Sequence, residues 1–275
     1  MKTISLLAAA IAGTLTLASG TATAGRGGSA ARIKDAIRSG SVDAIVAEVE
    51  RAERLTCPGC VEPLMEALDD SRYEVREVAA WWFARRPVIK AALTAEAITA
   101  LGQTDAIAAR NAADMLGAFR HPQAVPALAA AVANRALSAE ARAAAARALG
   151  LIGDRGAAGL TTALADPDAS VRWAAVDAWA QIRGQAGAAP VVARLADGDA
   201  GVRARAAAVV GTLHEATGRA ALETAVTGDA DPEVRRNAAW ALELGDGASR
   251  AALTAATTDS SGLVRRTAQA ALGRL

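Results

Sequence analysis

The sequence predicts an all-α fold: a right-handed α-solenoid of about seven helical hairpins that follow an N-terminal helical cap. An arginine, usually preceded by valine, recurs at intervals of 34, 32, 30, 31, 32 and 30 residues. An Asp-rich turn precedes most of these arginines, and an Ala-rich amphipathic run follows them. A repeat of this length is typical of stacked hairpins, because each unit can bury its apolar face only against its neighbours. The repeated arginines are Arg76, Arg110, Arg142, Arg172, Arg203, Arg235 and Arg265.

The first 24 residues have the pattern of a secretory signal peptide. Lys2 precedes an apolar stretch at residues 4–17, and Ala-Thr-Ala at residues 22–24 is a small-x-small cleavage site. An uncleaved membrane anchor is the alternative, but the apolar stretch is shorter than the ~20 residues that a span needs. We therefore expect a periplasmic or secreted protein with no integral membrane segment after cleavage.

Residues 25–60 are expected to form the cap, with helices at residues 30–39 and 42–54. Ser41 can accept a hydrogen bond at the start of the second helix, and Ile45, Val46 and Val49 share one face of it. A solenoid needs such a cap, because its end repeat would otherwise expose a stacking face. The hairpins then occupy residues 61–275.

The clearest repeat, residues 157–179, contains a first helix, a tight turn and a second helix. Its pattern, D-x-D-x-x-V-R-x-x-A-A-x-A-L-G, resembles the short HEAT-like repeat family, also called PBS-lyase-type repeats, over residues 61–275. The copies at Arg110 and Arg142 lack the valine and the Asp six residues before the arginine, and the Arg110 copy is one residue short. The resemblance implies an α-solenoid whose second helices line a concave groove.

Aspartates stand six residues before several of the repeated arginines. Such turn residues can bond their own backbone and present a carboxylate to an arginine of a neighbouring repeat. We interpret the two columns as a structural ladder that ties repeat to repeat, and a ladder of anion-binding arginines is the alternative. The ladder residues are Asp70, Arg76, Asp166, Arg172, Asp197, Arg203, Asp229, Arg235, Asp259 and Arg265.

Positions that vary between the copies indicate where a partner could bind. The residues one and five positions after the repeated arginine share one helical face and differ in type from copy to copy. Arg205, Arg236 and Arg266 lack a matching acidic column, so they favour an acidic segment as ligand. The predicted partner-binding residues are Glu77, Trp81, Asn111, Asp114, Arg147, Trp173, Asp177, Arg205, Arg236, Trp240 and Arg266.

The tryptophans of this face allow two interpretations. Trp81, Trp173 and Trp240 lie on an otherwise polar face, which is typical of binding anchors. They could equally cover the seam between neighbouring helices, because Trp is often only partly buried. Trp82 and Trp179 fall in core columns and are expected to be structural.

Cys57-Pro58-Gly59-Cys60 is a further local motif. In an exported protein, two cysteines this close are expected to form a disulfide that joins the cap to the first hairpin. Val61 follows Cys60 where a haem-attachment motif requires histidine. A dithiol redox role is the alternative, because a helix that starts near Cys60 would stabilise its thiolate.

Charge and chemistry exclude several function classes. Removing Lys2 from the 30 basic residues leaves 29 against 29 acidic ones, whereas nucleic-acid binding needs an excess of positive charge. His121 and His214 lie three repeats apart, about 30 Å, so they cannot share a metal ion. The sequence predicts no catalytic residues, no metal and no cofactor.

These observations predict an exported, non-enzymatic scaffold that binds a protein or peptide partner in the concave groove. An enzyme or enzyme accessory is the alternative: a bilin-lyase-like protein by family resemblance, or a dithiol oxidoreductase that uses Cys57 and Cys60. We also expect a homodimer through the C-terminal repeat, since it has no polar capping unit.

Overall fold

The computed structural model describes residues 30–182, 187–244 and 247–275, and these residues form sixteen α-helices and no strand. The predicted all-α solenoid is confirmed. The predicted signal peptide and the lead that follows it lie outside the described residues. The helices are α1 (Ala30–Ser39), α2 (Val42–Arg51), α3 (Val61–Ala67), α4 (Tyr73–Ala84), α5 (Pro87–Leu101), α6 (Ala106–Phe119), α7 (Val125–Ala133), α8 (Ala139–Ile152), α9 (Ala157–Leu164), α10 (Ala169–Gln181), α11 (Ala189–Val192), α12 (Ala200–Thr212), α13 (Arg219–Gly228), α14 (Pro232–Glu243), α15 (Arg250–Ala256) and α16 (Gly262–Arg274).

Successive helices pair into antiparallel hairpins, and the hairpins stack in chain order. The even-numbered helices, here called the second helices, each pack against the next one along the stack, from α2 to α16. The pair α1 and α2 therefore covers the first of seven further hairpins, α3 and α4. Helix α2 ends at Arg51, three residues before the predicted boundary at residue 54.

Polar side chains fix where the second helices begin. The side chains of six residues at the N-cap position accept hydrogen bonds from the backbone N–H groups of the first turn, and such a cap contributes about 1 kcal/mol to stability. These residues are Ser41, Asp105, Ser138, Asp168, Asp199 and Asp231. Ser261 holds the same position before α16 without a side-chain bond.

Small side chains let the second helices approach closely. Gly150 on α8 lies so near α10 that an added Cβ atom would be 2.7 Å from the Cβ atom of Ala178. Trp82 and Trp179 are buried, with 1% and 5% of their surface exposed, as expected for core positions. The indole N–H of Trp82 donates to the Ala52 carbonyl, 3.0 Å away.

The hairpin of α5 and α6 has a different register from the one that the sequence suggested. In the other hairpins the repeated arginine stands four residues after the N-cap residue. Asp105 is the N-cap of α6, so in this helix that position is held by Ala109. Arg110 is thus one position too far along the helix to be a member of the arginine column. Its side chain instead pairs with Glu140, 2.7 Å away.

Candidate partner-binding surface

The arginine column joins successive hairpins through one repeated geometry. Nη1 of Arg203 donates to the carbonyls of Asp197 and Gly198, at 2.9 and 3.3 Å, in its own turn. Its Nε and Nη2 atoms donate to the two carboxylate oxygens of Asp229 in the next hairpin, at 2.7 and 2.9 Å. The same contacts join Arg142 to Asp166, Arg172 to Asp197 and Arg235 to Asp259.

The carboxylates of these pairs have lowered pKa values in the folded protein. Hydrogen bonds from Arg203 lower the pKa of Asp229, and those from Arg235 lower the pKa of Asp259. Burial by itself raises the pKa of Asp197, but the bonds from Arg172 outweigh this effect and leave the pKa lowered. The charge of each of these arginines is already offset by a carboxylate of the next hairpin, so they act as structural links rather than as a site for external anions.

Three ladder residues depart from the expected pairing. Asp70 binds Arg72 of its own turn at 2.8 Å, because α2 carries Ile45 where a ladder arginine would stand. Arg76 pairs with Asp114 instead of a turn carboxylate. Arg265 keeps its bonds to the carbonyls of its own turn, but no carboxylate of the described residues lies within ion-pair distance of its side chain.

Asn111 and Asp114 do not belong to the partner-binding surface, and the sequence interpretation of both is wrong. Only 3% and 6% of their surface is exposed. The shifted register of α6 places Asn111 six residues after the cap, where α10 has the buried Ala174, and Asp114 is covered by Arg76 and Arg147 from the two neighbouring second helices. Asp114 accepts hydrogen bonds from Arg76 at 2.6 Å and from Arg147 at 3.3 Å. Asn111 donates to Asp69 at 3.0 Å.

The N-terminal part of the second-helix face offers little open apolar surface. Trp81 is half-buried, and the Arg85 guanidinium carbon lies 3.9 Å from the centroid of its ring. Glu77 is exposed and accepts a hydrogen bond from the Tyr73 hydroxyl at 3.2 Å. Trp81 is therefore covered by a neighbouring cation and is a weaker anchor than the sequence suggested.

Trp173 and Trp240 are the exposed aromatic residues of this face. They retain 43% and 37% of their surface, and they lie on α10 and α14, on either side of α12. A Cβ atom added to Gly211 of α12 would be 3.3 Å from the Trp240 ring, and one added to Gly201 would be 3.9 Å from the Trp173 ring. Each ring thus covers part of a seam and leaves part of itself open to solvent.

Small residues of α12 separate the two rings. Gly201, Ala204 and Ala208 are spaced three and four residues apart, so they share one side of the helix. From residue 201 to residue 211 the helix rises about 15 Å. We call Trp173, Trp240 and these three small residues the tryptophan patch.

The charges around the tryptophan patch are mostly paired. Arg205 lies 2.5 Å from Asp177, and Arg236 lies 3.2 Å from Glu233. The expectation that these arginines lack acidic partners is wrong, because the acids come from a neighbouring helix and from the preceding turn of the same helix. Arg266 is exposed on α16.

Two cavities of the described residues lie at loops that join one hairpin to the next. One, of ≈ 390 Å³, is lined by His214, Glu215 and Ser249, and the other, of ≈ 740 Å³, lies beside the disulfide between Cys57 and Cys60. Neither cavity was predicted from the sequence, because the loop residues that line them do not follow the helical columns. A concentration of unusual residues, the CPGC motif and the run Arg85-Arg86-Pro87, was the available signal for the second one.

Within the described part of the chain, no three His, Cys, Asp or Glu side chains come together as a metal site. His214 has a left-handed backbone, with φ of 51°, and its Nδ1 atom lies 3.1 Å from the Leu244 carbonyl oxygen. Among the helices of the same residues, none is long and apolar enough to span a bilayer.

The family profile described as HEAT repeats matches residues 132–211 and 188–273, which together cover 142 of the 275 residues. The chain belongs to the HEAT-repeat family. None of the curated proteins compared with it matches its sequence.

Several solved structures are similar to this HEAT-repeat chain at low sequence identity. The Escherichia coli protein YibA is 15% identical, with 100% of this chain and 98% of that one covered and a TM-score of 0.52. Human deoxyhypusine hydroxylase is 19% identical, with 89% and 96% covered and a TM-score of 0.39. The complex of CpcE and CpcF of phycocyanin lyase from Nostoc is 20% identical, with 94% and 100% covered and a TM-score of 0.39. At these identities the likeness concerns the fold alone.

Proposed function

We propose that this protein is an exported, non-enzymatic HEAT-repeat scaffold that binds a protein or peptide partner on its second-helix face. The observation that carries the proposal is the tryptophan patch, where Trp173 and Trp240 stand exposed on either side of α12. Large aromatic side chains dominate the binding energy of protein interfaces. In a fold whose interior is built mainly from alanine, two exposed indoles on one surface favour recognition over packing.

The area of the two rings sets the scale of the interaction. A Trp side chain can bury up to about 250 Å², so the exposed fraction of each ring corresponds to about 100 Å². At about 25 cal/mol per Å², covering one ring contributes about 2.5 kcal/mol. Gly201, Ala204 and Ala208 between the rings have small side chains, so side chains of the partner can approach the α12 backbone.

The paired charges indicate what the partner would be. Because Arg205 and Arg236 are already matched by carboxylates, the tryptophan patch has no strong excess of either charge. A partner would therefore contact the patch chiefly through apolar or aromatic side chains. The rim charges would contribute more to orientation than to affinity.

Export is supported by two features of the chain. Residues 1–24 have the signal-peptide pattern, and Cys57 and Cys60 are joined by a disulfide, which persists in oxidising compartments. A fusion of residues 1–29 to a reporter that is active only outside the cytoplasm tests this part. A reporter that stays inactive would contradict export.

The test of partner binding starts from capture. The mature protein is used to isolate partners from its native envelope fraction, and the affinity of each purified partner is then measured by calorimetry. Trp173→Ala with Trp240→Ala should weaken binding by at least 100-fold, while the helical circular-dichroism signal stays unchanged. Replacing Ile107, an exposed apolar residue on another part of the stack, by Ala is the control and should leave the affinity unchanged. Full affinity in the double tryptophan variant would eliminate the patch as the site.

The C-terminal hairpin supports a proposed self-association. Leu263 of α16 is 54% exposed, and Arg265 beside it has no described carboxylate partner for its outer nitrogens. Light scattering of the mature protein should show a dimer that Leu263→Asp converts to a monomer. A monomer at high concentration would contradict the dimer.

A further inference from the structure

The larger cavity, ≈ 740 Å³, lies between the cap and the first two hairpins. Its walls come from the loop after α2, from the disulfide loop and from the start of α5. Cys57 and Pro58 form one side, and Trp82 and Val88 form another. The disulfide between Cys57 and Cys60 holds the loop wall in a fixed conformation. A volume of this size suits a ligand of drug-like dimensions.

Three arginines line this cavity, Arg54, Arg85 and Arg86. Arg85 pairs with Glu53 at 2.6 Å. Arg54 and Arg86 have no carboxylate within ion-pair distance among the described residues, so the cavity carries two positive charges that no described carboxylate offsets. The smaller described cavity differs, because both an arginine, Arg219, and a carboxylate, Glu215, line it.

Arg86 is held rigidly in the cavity wall. Its guanidinium carbon lies 3.1 Å from the Trp82 ring centroid, and Nη1 donates to the Trp82 carbonyl at 2.6 Å. Nη2 donates to the carbonyls of Glu53 and Leu55, at 3.3 and 3.2 Å. Burial, together with the nearby charge of Arg85, lowers the pKa of Arg86 to about 10. The cation remains charged at neutral pH, and a bound anion would stabilise it.

The start of α5 adds to the positive potential. This helix has 15 residues and begins at Pro87 without a side-chain cap, so its first N–H groups and its dipole face the cavity region. Val88 in its first turn is 85% exposed, and it forms an apolar rim with Pro58 and Leu55. Positive charge and apolar surface thus meet in one cavity.

We propose that this cavity binds an amphiphilic anion, a carboxylate or sulfonate attached to an apolar chain or ring. The anionic group would lie against Arg54 and Arg86 at the start of α5. The apolar part would lie against Trp82, Val88 and the disulfide loop. This site is separate from the tryptophan patch and does not depend on the proposed partner-binding function.

Octanoate is the probe, and its affinity for the mature protein is measured by calorimetry. Octylamine and octanol, which have the same chain with a cationic and a neutral head, are the charge controls. Octanoate should bind at least tenfold more tightly than either. Raising the salt concentration from 50 to 500 mM should weaken its binding severalfold, because part of the attraction is between charges.

Val88→Asp and Ile107→Asp form a matched pair of variants. Each residue is an exposed apolar side chain at the second position of a helix, Val88 in α5 and Ile107 in α6. An aspartate there favours the helix dipole, so both variants should fold. Val88→Asp places a negative charge at the rim of the cavity and should weaken the binding of octanoate at least tenfold, whereas Ile107→Asp should have no effect. Arg54→Ala should lower the affinity for octanoate about threefold or more.

Tighter binding of octanoate than of octanol, lost in Val88→Asp and kept in Ile107→Asp, supports the anion site. Equal binding of octanoate and octanol would show an apolar cavity without anion preference and would overturn the proposal. Equal affinity in the two aspartate variants would place the bound octanoate elsewhere and would also overturn it.

Discussion

Asp229→Asn offers a direct test of the links between hairpins. The carboxylate accepts hydrogen bonds from Nε and Nη2 of Arg203, at 2.7 and 2.9 Å, and from the backbone N–H of Asp231 at 2.9 Å. Only 10% of the Asp229 side chain and 17% of the Arg203 side chain are exposed. In the variant, one acceptor oxygen remains, and an amide NH₂ group faces the guanidinium.

The expected cost follows from these contacts. Hydrogen bonds to charged groups contribute about 1.5–3 kcal/mol each, and breaking a buried ion pair costs about 3–5 kcal/mol. Because both side chains keep some contact with water, we expect Asp229→Asn to lower the free energy of unfolding by about 2–3 kcal/mol. The same substitution at Asp35, whose surface pair with Arg38 is 67% and 74% exposed, should change it by less than about 0.5 kcal/mol.

Urea unfolding followed by circular dichroism at 222 nm measures the difference between these two variants. Hydrogen exchange should place the weakened protection in α12 to α16, because each hairpin of a solenoid is stabilised mainly by its neighbours. Replacing both partners, Arg203→Met with Asp229→Leu, should recover part of the loss, since it leaves no unpaired charge. Equal costs for Asp229→Asn and Asp35→Asn would refute the reasoning that the ladder stabilises the stack.

Three other predictions test the packing, the acids and the disulfide. The lowered pKa values of Asp166, Asp197, Asp229 and Asp259 mean that their contribution is present above the unfolded pKa of about 3.9 and is lost as pH falls through the lower folded values. Urea midpoints should therefore be constant from pH 7 to about 5 and should fall below about pH 4, and a constant midpoint down to pH 2 would contradict this. Gly150→Ala should destabilise the protein by about 1–2 kcal/mol in urea unfolding, since the new methyl group would meet Ala178, whereas Gly273→Ala, with no atom within 4 Å, should be neutral or stabilising. Cys57→Ser with Cys60→Ser should lower thermal stability by about 2 kcal/mol, the chain-entropy value for so short a loop, and an unchanged melting temperature would show that the bridge contributes nothing.

Repetition in the sequence made most of the architecture predictable. Each copy carries its own start signal, such as Asp168 or Asp199 at the N-cap, and its own alanine-rich stacking face. These signals act within one hairpin or between adjacent hairpins, so a local pattern is enough to predict them. The carboxylate and arginine columns also predicted which turns would face which helices, as the pair of Arg172 and Asp197 illustrates.

The candidate site was less predictable, because exposure depends on side chains far apart in the sequence. The shifted register of α6 buried Asn111, and Arg76, 38 positions earlier in the chain, covered Asp114. Trp81 is the exception, because the cation that covers it, Arg85, is only four residues away. Arg205 forms an ion pair with Asp177 of the preceding second helix. A column of variable residues shows that stacking does not fix their type, but it does not show which of them remain open to solvent.

The sequence by itself determined the repeat length, the helix starts and the order of the stack, since these depend on contacts within or between consecutive copies. Only the tertiary structure decided that Trp173 and Trp240 stay exposed around α12 and that Arg54 and Arg86 meet at one cavity. The physical reason is distance along the chain. Residues more than 20 positions apart are brought together by the stacking of whole hairpins, and a small change of register moves a side chain from the surface to the interior.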